Sequence, residues 1–296
     1  MGKTNYKNIK RVLYFLLLAN LLVTIAKIAI GFTSKSMALS ADGFHSLSDS
    51  ATNIIGIISI TFASKPEDKE HTYGHKKFET MASLIICVVL TFIAYNIVVQ
   101  AISKISNPSV VEIGLESLII LVGTVVVNIF VATYENKKGK EYNSSFLIAD
   151  SIHTKSDIFI SIGVITTLIC IKIGVPPIID VIVSLAVSVF ILHAAYEIFI
   201  EATSILTDKV VLKNEEVKEV INEFSKIKSV HKIRSRGFKD YIFLDMHILV
   251  DNDLNVDQVH KLVHEVENKF REKLNTTVDL VIHVEPYCEE ELKKVN

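Results

Sequence analysis

Two stretches of this chain repeat one arrangement of ionisable residues. Residues 41–49 read Ala-Asp-Gly-Phe-His-Ser-Leu-Ser-Asp, and residues 149–157 read Ala-Asp-Ser-Ile-His-Thr-Lys-Ser-Asp. Both fit A-D-x-x-H-x-x-S-D. His45 and Asp49 stand four residues apart, as do His153 and Asp157, so on a helix each pair projects from one face. Brought face to face, the pairs offer two imidazole nitrogens and two carboxylate oxygens, a tetrahedral set that suits Zn²⁺. Co²⁺, Cd²⁺, Fe²⁺ and Mn²⁺ take the same donors less favourably. No thiolate lies in the motif, which argues against Cu(I). Asp42 and Asp150 precede their histidines by three residues and are expected to act as outer acceptors or to face an aqueous entrance. The competing reading, hydrogen bonds that merely join helices, usually employs Ser, Thr, Asn or Gln.

The elements that must position these pairs are membrane helices. Half of the 296 residues are hydrophobic and the mean hydropathy is +0.40, too apolar for an ordinary soluble chain of this length. Six runs are long enough to cross a bilayer: 12–32, 37–62, 78–105, 110–134, 146–173 and 177–200. The short loops on one side carry Lys3, Lys7, Lys10, Arg11, Lys65, Lys69, Lys76, Lys77, Lys137, Lys138 and Lys140, against Lys35, Lys104 and Lys172 on the other. Positive charge marks the cytoplasmic side, so both termini are expected there, in a cell membrane. Ionisable groups inside a span are costly and imply function. Metal ligands must shed protons to bind, and histidine titrates near neutral pH, so protonation can drive release. The expected activity is export of a divalent metal, zinc first and manganese or iron as the alternative cargo, in exchange for protons by alternating access. A metal-gated channel or sensor is the reading from another class. A hydrolase is disfavoured, because a four-ligand site leaves no open position and no H-E-x-x-H motif occurs.

Composition excludes other classes. A net charge of −2 gives no reason to expect nucleic acid as a partner. Three scattered cysteines, Cys87, Cys170 and Cys288, make neither a disulfide framework nor a thiolate metal site. The chain divides into an apolar domain, 1–207, and a charged tail, 208–296. In the tail the periodicity predicts a helix over 214–227, strands over 230–238 and 241–250, an amphipathic helix over 256–274 and a strand over 277–284. That order suggests an α+β sandwich of ferredoxin-like type. Five histidines fall in the tail, at 231, 247, 260, 264 and 283. His283 and Glu285 share one strand face, and His260 and His264 share one helix face. A second candidate cluster, Asp68, His71 and His75, lies between the second and third runs; its alternative is a solvated charged loop. His193, in the sixth run, is expected to pack or to make a local hydrogen bond.

Taken together, the paired H-x-x-x-D motifs, the D-x-x-H-x-x-x-H loop and the histidine-bearing tail resemble the cation diffusion facilitator family, close to its bacterial ferrous-iron/zinc efflux branch. The resemblance spans essentially the whole chain. It implies that His45, Asp49, His153 and Asp157 form the transport site and that Asp68, His71 and His75 hold a more exposed ion. It implies that His231, His247, His260, His283 and Glu285 bind metal near a homodimer interface, with zinc as cargo and structural or regulatory ion and protons as the coupling ion. Lys77 and Asp208 resemble a charged pair linking the membrane domain to its partner's base. Two departures stand out: the branch often has Asp where this chain has His45, which leans toward zinc or cadmium, and Glu285 stands where the branch has Asp.

Overall fold

The computed structural model describes residues 5–33, 50, 52–106, 115–176 and 178–288. His45, Asp49 and Asp42 therefore lie outside the described residues. The chain forms two compact units that divide between Ala202 and Thr203.

The first unit is helical. Its described elements are α1 (Tyr6–Thr33), α2 (Thr52–Ala63), α3 (Lys77–Ser106), α4 (Leu115–Tyr142), α5 (Ser145–Lys172) and α6 (Ile178–Leu206), whose last residues belong to the second unit. One buried core draws on all six, including Leu13 of α1, Ile60 of α2, Leu90 of α3, Val131 of α4, Phe146 of α5 and Ile191 of α6. The α2–α5 approach needs a missing side chain: a Cβ at Gly56 would overlap the Phe146 ring. Helix α4 closes on Asn143, which adopts the left-handed conformation at φ 51°, while Ser144 N–H donates to the Gly139 carbonyl at 2.9 Å. This terminating turn satisfies late carbonyls and sends α5 back along α4 after two residues. Among the described residues, two helices are long and apolar enough to cross a membrane, α3 over Lys77–Ser103 and α6 over Val181–Leu206, with mean hydropathies of 2.5 and 2.0. Their outer faces expose large apolar side chains such as Val88, Phe92, Val189 and Phe190, as a helix solvated by lipid does.

The second unit is a layer of helices on a mixed three-stranded sheet. It runs α7 (Asn214–Ile221), β1 (Ile227–Phe238), β2 (Tyr241–Val250), α8 (Val256–Leu274) and β3 (Thr277–Pro286). β2 is central, antiparallel to β1 and parallel to β3. Ile242, Leu244, Met246 and Ile248 alternate along β2 and join a core with Val217 and Ile221 of α7 and Leu262, Val266 and Phe270 of α8. The intervening residues, His247 among them, lie on the opposite face. A capping box between Asn255 and Gln258 starts α8.

The bounds of β2 and α8 coincide with the expected 241–250 and 256–274, and β3 continues two residues past its expected end. Helix α7 is shorter than the expected 214–227. It stops at Ile221, and Ile227 instead pairs with Val250 as the first residue of β1. Ile227 and Val230 bury their side chains in the sheet core, and that burial outweighs a further helical turn.

Candidate metal centres

Helix α5 places the second repeat in the interior. His153 is 3% exposed and Asp150 2% exposed, and Asp157 lies one turn beyond His153. Asp150 and Asp157 lie toward Glu135 of α4. Thr154 Oγ1 donates to Glu135 Oε2 at 3.1 Å, and Asn136 Nδ2 donates to Ser151 Oγ at 3.3 Å. Glu135, 1% exposed, lies within electrostatic reach of both Asp150 and Asp157. Its role was not legible in the sequence, because it directly follows an apolar run and reads as the charged end of a span. The first turn of α5 is tied down as well. Ser144 Oγ accepts from Leu147 N–H at 3.3 Å, as a helix N-cap does. Glu79 of α3, 1% exposed, accepts from Ser144 Oγ at 2.5 Å and from Phe146 N–H at 3.3 Å.

The loop before α3 gathers Asp68, His71 and His75, with one donor atom from each lying within 4.8 Å of the others. Asp68 Oδ1 accepts from the backbone N–H groups of His71 and Glu70 at 2.7 and 2.9 Å. The His71 N–H, then that of Glu70, and then the nearby imidazoles hold the carboxyl below its ordinary value. Its oxygens face His71 Nδ1 at 3.5 Å and His75 Nε2 at 3.3 Å. Ligands about 2.0–2.2 Å from a tetrahedral ion stand about 3.3–3.6 Å from one another, so these separations fit a bound zinc-sized cation. His75 is 5% exposed, and its Nδ1 is buried without a hydrogen-bond partner.

Strand register builds the third cluster. His231 pairs with His247 across β1 and β2, and His247 pairs with His283 across β2 and β3. The three imidazoles thus form a row across the sheet, and Glu285 sits two residues beyond His283 on the same face. Glu285 faces His247 Nδ1 at 2.7 Å, His231 Nε2 at 3.3 Å and His283 Nε2 at 3.6 Å. The His247 hydrogen bond, followed by the charges of His231, His247 and His283, holds the Glu285 carboxyl below its ordinary value. His231, His247 and Glu285 bring one donor atom each within 4.8 Å, and His231 Nδ1 is buried without a hydrogen-bond partner. His260 does not join them within the chain. It lies on α8, the helix packed on the other face of the sheet, where its ring meets His264 at 4.5 Å. Asp208 pairs with Arg236 of its own unit at 3.3 Å. His193, on the exposed face of α6, makes a local pair with Glu197 at 3.5 Å.

Sequence profiles give the decisive comparison. Residues 13–207 match the cation efflux transmembrane domain, and residues 212–287 match the cytoplasmic domain of cation efflux proteins. The chain belongs to the cation diffusion facilitator family. It is a membrane protein of the cation efflux class, and its second profile belongs to a dimerisation domain. Three relatives match along nine-tenths or more of their length. An uncharacterized transporter of Methanocaldococcus jannaschii is 31% identical over 281 residues, covering 94% of this chain and 99% of the relative. The manganese efflux system protein MneP of Bacillus subtilis is 30% identical, with 95% and 97% covered. The cation-efflux pump FieF of Cronobacter sakazakii is 24% identical, with 91% and 90% covered. Helix α5 carries the second His-x-x-x-Asp pair with its histidine buried, and two further clusters with metal-ligand spacing lie outside it.

Proposed function

We propose that this chain is a homodimeric exporter of divalent transition-metal ions that exchanges them for protons. His45, Asp49, His153 and Asp157 are the transport ligands, six helices cross the membrane, and both termini and the tail are cytoplasmic. The observation that carries this reading is the burial of His153 and Asp150 on one face of α5, in a chain matched along its length by proteins named for manganese and cation efflux. A buried charged ligand set in a membrane helix is too costly to serve packing alone. Its ligands bind metal only when deprotonated, which couples metal and proton movement in opposite directions. The loop and sheet clusters hold further ions, and the sheet cluster lies in the domain that pairs the two copies.

Two cargoes are favoured by different observations. The His₂Asp₂ set favours zinc on ligand preference and on the affinity order of divalent metals. Manganese is favoured by the relatives: MneP, and a second manganese efflux system protein of Bacillus subtilis, MneS, that is 27% identical. The test is flux in proteoliposomes with internal metal and pH dyes, for Zn²⁺ and Mn²⁺ separately. Saturable flux with opposite proton movement, abolished by Asp157→Ala, is expected. Flux insensitive to an imposed proton gradient would remove the exchange, and normal flux in Asp157→Ala would remove the site.

A further inference from the structure

We infer that Glu79 is a positioning residue for export: it latches the cytoplasmic end of α5 to α3, and an ion in the Asp68/His71/His75 cluster tightens that latch. The inference rests on the transport reading of α5 given above.

A helix start leaves its first N–H groups without intrahelical acceptors. In α5 two of these are satisfied by one linked pair: Phe146 N–H by Glu79 and Leu147 N–H by Ser144 Oγ, which itself donates to Glu79. Glu79 thus holds, from a neighbouring helix, the end of the element that carries His153 and Asp157. Its location links this latch to the loop. His75 stands four residues before Glu79; the His75 carbonyl accepts from Phe78 N–H at 3.0 Å, and the Lys76 carbonyl accepts from Glu79 N–H at 3.1 Å. The rings of His71 and His75 both pack on Phe78, at 5.8 and 5.9 Å, and Phe78 stacks on Phe62 of α2 at 5.7 Å. An ion that fixes the two imidazoles therefore fixes the turn from which Glu79 projects. The fixed turn keeps the Glu79 oxygen aligned on both donors. The Glu79 carboxylate needs no proton or metal for this role, only two acceptor positions directed at Ser144 and Phe146.

The test uses the full-length protein in lipid and two readouts. The first is amide exchange at Phe146 and Leu147 with and without Zn²⁺, in an Asp157→Ala background that removes a transport ligand from α5. Zinc is expected to slow exchange there roughly tenfold, within the range by which side chains between two sites modulate coupling. The response is lost in Glu79→Ala and in His71→Ala, and it persists in Glu79→Gln, whose amide oxygen still accepts. The second is flux in chains that keep Asp157. Glu79→Ala lowers the maximal rate about tenfold with little change in half-saturation, and Glu79→Gln restores most of it. Failure of Glu79→Gln in both readouts would overturn the latch, since the charge itself would then be what export requires. Unchanged exchange in Glu79→Ala would overturn it as well. A wild-type chain that moves no metal would sink the export reading, while the exchange readout would still decide the latch.

Discussion

The loop cluster and the sheet cluster draw on the same donors, two imidazoles and one carboxylate, yet they are built by opposite means. Asp68, His71 and His75 fall within eight consecutive residues, and a backbone turn positions them: Asp68 accepts two N–H groups of its own loop. His231, His247 and Glu285 are drawn from three strands and meet only because β1, β2 and β3 pair in one register. A local site follows from spacing and persists as long as its turn does. A site made by register depends on the whole sheet, because a one-residue slip would send each histidine to the other face. The difference also locates the weak point of each: a turn hydrogen bond in the loop, a hairpin in the sheet.

The largest effect should come from breaking that hairpin. Gly237 sits next to the β1–β2 turn with φ +128°, and a Cβ there would run into the Tyr241 carbonyl. Gly237→Val should destabilise the second unit by about 3 kcal/mol. Hydrogen exchange on the full chain should show loss of protection along β1 and β2, loss of binding at the sheet cluster and unchanged binding at the loop. Equal loss at both clusters would refute the contrast. Next comes Glu285→Ala, which removes the oxygen pair that faces all three histidines of the row. Metal affinity at the sheet cluster should fall about 100-fold by calorimetric titration, with the fold and the loop affinity intact.

A subtler pair of variants sharpens the comparison at the loop. Asp68→Asn keeps an oxygen for the N–H groups of Glu70 and His71 but removes the charge, so the turn stays and affinity should drop about tenfold. Asp68→Ala removes turn and ligand together and should weaken binding further. Equal losses in titration would mean that the turn contributes nothing. The smallest effect belongs to Asn255→Ala, which deletes the α8 capping box at a cost of about 1 kcal/mol. It should lower the unfolding midpoint of the second unit and leave both clusters' affinities unchanged.

Much of the fold was legible because its signals are periodic. The apolar run that alternates Ile242, Leu244, Met246 and Ile248 set the bounds of β2, and the amphipathic pattern from Val256 to Leu274 set those of α8. The start of β1 was not legible. Ile227 fits the apolar face of a helix as well as a strand, and pairing with Val250 chose between them. Glu79 and Glu135 escaped notice for a related reason: a carboxylate at the end of an apolar run reads as a boundary charge until a neighbouring helix supplies the groups it meets.

By itself the sequence determined the chemistry: which donors exist, which recur four residues apart on a helix face, and that the loop triad is close enough along the chain to meet. Those are consequences of helical pitch and short turns, which act within a few residues. Tertiary structure decided what must meet across distance. It set His231, His247 and His283 in one row and placed His260 on the opposite layer, because strand pairing fixes register and a helix covers only one face of the sheet. It also brought Glu79 to the first turn of α5, where burial obliges each polar group to find a partner.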